Sequence, residues 1–246
     1  MAKKLDSSKM FRVVAGTLLS VVLLFLMLTS SASAFTSMLP GTAYGLTTAG
    51  QPDPNWSVSL ITSGPYYVDW GSPAVNPAIG FVNGEPAQVL TPGAANWGSE
   101  WLPGNGPYSS WIGVTAGYVS NGYGPFEYQA TFNLSGFNLS TVRITGLWTI
   151  DDSGYLLVNG HQVGFLPNSS WFYLWPFTIT DTGAMTGWLN QGLNTLQIIT
   201  AYTDDAIEGV RLEGTVTSSA VPVPAALLLF APGLAGLAAV RRRLKK

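Results

Sequence analysis

Three hydropathy regimes divide the chain. Residues 13–28 form an uncharged, mostly apolar run, and a second charge-free apolar run extends from Val221 to Val240. Between them, apolar and polar residues alternate in short bursts. Tyr128 to Leu134 alternates strictly, and Val142, Ile144, Gly146, Trp148 and Ile150 form a series at every second residue. Successive side chains of a strand point to opposite faces, so a period of two predicts strands with one buried face. Tyr155 to Val158 and His161 to Phe165 flank Asn159-Gly160, a pair suited to a two-residue hairpin turn in which both positions take positive φ. Further strands are predicted over 177–180, over 193–202 after the Gly192 turn, and over 210–216. In the last, Val210, Leu212, Gly214 and Val216 alternate with Arg211, Glu213 and Thr215. No ten-residue stretch of 35–220 carries a 3.6-residue period. Prolines and glycines crowd residues 40–125 and mark turns and long loops there. The pattern predicts an all-β chain: a single jelly-roll or β-sandwich domain over 35–220, flanked by two helical tails.

Both tails read as sorting devices. Lys3, Lys4, Lys9 and Arg12 surround the start of the first apolar run, and Ser31-Ala32-Ser33-Ala34 follows it. Ala32 and Ala34 are small enough for a signal peptidase pocket, so residues 1–34 are expected to form a signal peptide cleaved after Ala34. At about 1.5 Å per residue, residues 221–240 are long enough to cross a bilayer core. Arg241, Arg242 and Arg243 end that run and are expected to stay cytoplasmic. Val221-Pro222-Val223-Pro224-Ala225, then an apolar helix, then the arginine cluster, resembles the PEP-CTERM sorting signal of Gram-negative bacteria. The variant it is most similar to usually reads Val-Pro-Leu-Pro-Ala, and Val223 stands here in place of the leucine. The resemblance covers residues 221–246. It implies an inner-membrane intermediate, processing by an exosortase, delivery to the cell surface or exterior, and association with exopolysaccharide and biofilm.

Charge sharpens the division. Charged residues are 10% of the 246, against roughly 25% in ordinary soluble proteins. Nine of the 11 basic residues lie in the two tails, which leaves Arg143 and Arg211 against 12 acidic residues in 35–220, a formal charge of -10. Nucleic-acid binding needs a surplus of Lys and Arg and is excluded. The target of such an acidic domain is expected to be an uncharged sugar, or an anionic polysaccharide bridged by Ca²⁺. With no Cys, disulfides, thiolate metal sites and Cys nucleophiles are excluded. His161, the single histidine, cannot build a His-rich metal site.

A second resemblance concerns the middle of the chain. Asp53-Pro54-Asn55-Trp56, Ser110-Trp111-Ile112, Tyr128 to Leu134, Asp151-Asp152 before Val158-Asn159-Gly160, Leu193-Asn194-Thr195-Leu196 and Val210-Arg211-Leu212-Glu213 follow an order similar to that of many PEP-CTERM ectodomains. Residues 127–216 resemble galactose-binding-like jelly rolls, which implies either a carbohydrate-binding module or a structural part of a glycosidase.

Two groups of residues are candidates for chemistry. Asp151-Asp152 and Asp204-Asp205 can supply hard oxygen ligands for Ca²⁺ or can shape their turns by accepting backbone N–H bonds. They lack the EF-hand spacing. Hydrolysis of a glycan would require two carboxylates facing each other across a groove, roughly 5–9.5 Å apart. No Gly-x-Ser-x-Gly elbow accompanies His161. Trp171, Tyr173 and Trp175 lie in an aromatic stretch over 166–177, and Trp97 and Trp101 lie in a second Gly/Pro-rich loop. Such rings either fill a sandwich core or stack on the C–H faces of pyranose sugars. The expected function is that of an exported, non-catalytic surface or matrix protein that binds carbohydrate. A secreted glycan hydrolase and a purely structural protein are the alternatives.

Overall fold

Alternating burial produces an all-β fold in the computed structural model, which describes residues 34–66, 82–90, 104–115, 125–202 and 208–219. Its strands are β1 Ala34–Met38, β2 Pro52–Leu60, β3 Glu85–Val89, β4 Ile112–Gly113, β5 Phe126–Asn133, β6 Arg143–Asp151, β7 Ser153–Val158, β8 His161–Leu166, β9 Trp175–Thr180, β10 Leu193–Tyr202 and β11 Gly209–Ser219. They follow one another in space as β8-β7-β10-β5-β2-β3-β4-β11-β6-β9, with β1 against β11. Every pairing is antiparallel, and the curled sheet forms a sandwich-like, jelly-roll-like arrangement. The proposed signal segment with Ala32, the sorting motif Val221–Ala225 and Arg241–Arg243 lie outside the described residues. Among the described residues, no helix is long and apolar enough to cross a membrane.

The strands predicted after residue 126 are present, and their alternation has a direct cause. Along β5, Phe126, Tyr128, Ala130 and Phe132 are buried, while Glu127, Gln129, Thr131 and Asn133 face outward. The inward row meets Trp56 and Val58 of β2, Leu196 and Ile198 of β10, and Ile144, Trp148 and Ile150 of β6 in one core. Asn159 and Gly160 both have positive φ, 49° and 80°, as the hairpin requires. The glycines within the apolar series mark a close approach. Gly146 pairs with Gly214, and a Cβ on Gly146 would lie 2.6 Å from the Phe177 ring and 2.1 Å from the Glu213 carbonyl oxygen.

The Pro/Gly-rich half holds strands that periodicity does not reveal. β2 lies inside the sheet, between β3 and β5, although it contains Pro52 and Pro54. Proline cannot donate to a ladder. The β2–β3 register shifts between Pro52 and Ser57, so Pro54 lies where regular pairing lapses and Pro52 stands at its edge, opposite Gln88.

One long strand edge organises this half. β11 pairs with β6 on one side along almost its whole length. On the other side β1 covers residues 215–219 and β4 covers Val210. The gap is filled by an irregular segment. The Leu39 N–H donates to the Gly214 carbonyl at 3.0 Å, and the Thr42 N–H donates to the Leu212 carbonyl at 2.9 Å. The Leu212 N–H then donates to the Thr42 hydroxyl at 3.0 Å, and that hydroxyl donates to the Ser110 carbonyl at 2.7 Å. A buried backbone group without a partner is costly, so these bonds make a buried loop tolerable. Asp53 fixes the far side of the same loop by accepting the N–H groups of Ala43, a residue with φ of 47°, and Asn55. Burial raises the Asp53 pKa above the ordinary carboxylate value, and the backbone donors from Asn55, Ala43 and Trp56 oppose that rise. The Trp56 indole N–H donates to the Pro40 carbonyl at 2.8 Å and closes the loop from below.

Thr42→Val keeps the side-chain shape but removes the hydroxyl that serves Leu212 and Ser110. Chemical denaturation is expected to show a loss of about 2 kcal/mol, the order of cost for unsatisfied buried hydrogen-bonding groups. An unchanged midpoint would show that the β11 edge does not depend on this hydroxyl.

Candidate functional site

The aromatic stretch between β8 and β9 divides into an anchor and an exposed edge. A short 3-10 turn, Ser170–Phe172, starts it, and Ser170 is buried. The Ser170 carbonyl accepts the Thr149 hydroxyl at 2.8 Å and the Trp175 indole N–H at 3.2 Å. Trp171 is half-buried and packs on a small cluster of Leu90 and Trp111, apart from the main core. Tyr173 and Trp175 are 67% and 42% exposed. Their rings meet edge to face, with centroids 6.2 Å apart. Of the three predicted residues, Tyr173 and Trp175 therefore present ring surface to solvent, while Trp171 ties the loop to the domain.

Of the acidic pairs, Asp151–Asp152 lies among the described residues. Asp151 ends β6, paired with Gly209, and Asp152 occupies the one-residue corner before β7. Asp152 and the neighbouring Glu208 are buried. Tyr128, fully buried in the core, has its pKa pushed far above the ordinary tyrosine value by desolvation first and by the Glu208 charge second. Asp204 and Asp205 lie outside the described residues, as do Trp97 and Trp101. Among the described residues, no three acidic or histidine side chains converge to hold a metal ion.

Neither base in the middle of the chain forms an open cationic site with its neighbours. Arg211 is buried: its Nε donates to the Ser109 hydroxyl at 2.8 Å, its Nη1 to the Gly104 carbonyl at 2.5 Å, and its Nη2 lies 3.8 Å from Glu213. Burial lowers its pKa and the Glu213 charge opposes that. This guanidinium clamps the 104–109 loop onto β11. Arg143, at the start of β6, is exposed. His161 is exposed and its ring stacks flat on Trp188, 4.9 Å between centroids and 7° between planes.

Two cavities open on the outer faces of the sheet. The first, of about 320 Å³, lies over β2 and β5 and is lined by Asn55, Ser57, Gln129 and Thr131 with Pro54 and Pro86. Asp53 is its one carboxylate. The second, of about 400 Å³, is lined mainly by apolar surface from Met38, Tyr108 and Leu147, with Glu213 as its one carboxylate. Neither provides the two opposed carboxylates that glycoside hydrolysis uses. A third aromatic group escaped sequence reasoning. Tyr66, Tyr155 and Phe165 form a row on the outer face of β7 and β8, with centroids 4.9 Å apart at each step. The period-two phase of β7, with Leu156 and Val158 inward, was the signal that Tyr155 points out.

No protein-family model and no curated protein matches this chain. Among solved structures, a Stig cyclase, Fisc, from Fischerella sp. TAU in complex with (3Z)-3-(1-methyl-2-pyrrolidinylidene)-3H-indole is similar at 13% identity. The match covers 76% of this chain and 100% of that one, with a TM-score of 0.40. A second cyclase from the same organism is similar at 14% identity, with the same coverage and TM-score.

The division of the loop predicts two kinds of variant. Trp171→Ala removes packing against Leu90 and Trp111 and is expected to cost about 2 kcal/mol, less than the roughly 3–5 of a fully buried Trp. Trp175→Ala is expected to change stability by under about 0.5 kcal/mol, as exposed sites do. Thermal melting of both variants tests the assignment, and equal losses would refute it.

Proposed function

We propose that residues 35–220 form a non-catalytic domain that binds uncharged glycan outside the inner membrane. In this reading the chain is exported by its signal peptide and sorted through a PEP-CTERM-like tail by an exosortase. It then acts at the cell surface or in an exopolysaccharide matrix. The observation that carries the binding reading is the exposed Tyr173–Trp175 pair. The Trp175 indole is held by the Ser170 carbonyl, so less side-chain freedom is lost there when a sugar docks. Aromatic faces gain from covering pyranose C–H surface, and they do so without charge. The surplus of acids over bases favours a neutral ligand over an anionic one. Each described cavity holds a single carboxylate, which supports a binding role over hydrolysis.

A glycan array probed with the full chain is expected to show binding to neutral polysaccharides. Tyr173→Ala and Trp175→Ala are each expected to weaken that binding roughly tenfold, about 1.4 kcal/mol. Wild-type affinity in both variants would remove this site, and an array without signal would remove the glycan-binding reading.

A further inference from the structure

The β2–β5 groove has no part in the aromatic edge site, yet its construction is that of a binding site. We propose that it is a second, independent site for a neutral hexose oligosaccharide. It lies on the opposite side of the core from the inward residues of β2 and β5, on the face that alternation leaves to polar side chains. Register brings part of it together: Ser57 of β2 pairs directly with Gln129 of β5, and Asn55 and Thr131, each two residues further along its strand, line the same cavity. The paired strands stand about 4.8 Å apart. That is close to the spacing at which successive hydroxyls of one sugar ring can reach both.

The chemistry of the lining selects the ligand class. Within the described residues, the side chains of Asn55, Ser57, Gln129 and Thr131 make no hydrogen bond of their own. Their amides and hydroxyls each offer both a donor and an acceptor to the open cavity. A vicinal diol, which also donates and accepts at adjacent oxygens, matches that set. Pro54 and Pro86 are exposed at the rim and provide C–H surface for the apolar face of a ring. Asp53 has both oxygens engaged by the Ala43 and Asn55 backbone donors, and its negative charge adds to the bias against an anionic ligand. No basic residue lines the cavity, so an anionic sugar would find no counter-charge. At about 320 Å³ the cavity is at the small end of ligand sites, room for one or two hexose units of a longer chain.

This proposal shares the glycan-binding reading given above but rests on different residues, and the test keeps the two apart. The full chain, held in a zwitterionic detergent without sugar groups, is mixed with cellohexaose, mannohexaose or an alginate hexamer. Hydrogen–deuterium exchange then maps protection, and calorimetry gives affinity. A neutral hexamer is expected to protect peptides covering 52–60 and 126–133. Gln129→Ala and Asn55→Ala are each expected to weaken that binding about fivefold, the loss of one hydrogen bond. Thr145→Ala, in the other cavity, is expected to leave it unchanged. In a Tyr173→Ala/Trp175→Ala double variant the protection of 52–60 and 126–133 is expected to persist. Both groove substitutions point out of the core, so melting temperatures should match the parent. Protection confined to 170–177 would overturn the groove and leave the aromatic site standing. Protection of the groove by the alginate hexamer alone would overturn its neutral selectivity. Absence of protection by all three would overturn the groove outright.

Discussion

Satisfying the free edge of β11 is the constraint on which the rest of the domain depends. That strand carries β6 along one side, and its other side must be completed by β1, by the Leu39–Thr42 segment that directly follows it, and by β4, far along the chain. The middle piece is not a strand. A threonine hydroxyl takes the place of a ladder carbonyl, and the buried Asp53 carboxylate holds the turn that presents it. Buried backbone donors and acceptors must find partners, so this arrangement dictates where β2 starts and how Trp56 enters the core. The position of β2 in turn sets the register with β5, and that register makes the polar groove.

Aromatic residues serve two purposes that composition cannot separate. Trp56, Phe126 and Tyr128 are fully buried and fill the sandwich, and Trp111 is buried in the separate small cluster with Leu90. Tyr173, Trp175 and Phe165 remain exposed on edges and outer faces. The domain has no disulfide, so its stability rests on that interior. The same economy governs charge. Arg211 is spent on clamping the 104–109 loop, and Asp53 on clamping the 40–45 turn.

Much of the second half was legible because its strands alternate apolar and polar residues in sequence, even where both faces end up buried, as at Val210–Leu212 of β11. β5, β6, β10, β11 and the β7–β8 hairpin each carry a clear period of two or a turn pair with one conformational solution. β9 begins at Trp175, two residues before the predicted start, because Trp175 and Pro176 continue the pairing with β6. The first half was illegible for a physical reason. β2 interrupts its own ladder with prolines, β4 is two residues long, and the Leu39–Thr42 segment bonds through a side chain. Within the aromatic stretch, sequence could name Trp171, Tyr173 and Trp175, but not which would turn inward.

By itself the sequence determined what local chemistry can decide: an all-β middle from its alternation, an acidic and nearly base-free surface, the hairpin at Asn159-Gly160, and two apolar, basic-flanked tails. These follow from side-chain periodicity and counts, which neighbours in space do not alter. The tertiary structure alone decided which aromatic rings stay exposed and that Asp53 and Arg211 are internal clamps. It also brought Asn55 and Ser57 beside Gln129 and Thr131. Those outcomes depend on pairing between strands some seventy residues apart, and such register is set by the packing of the whole core.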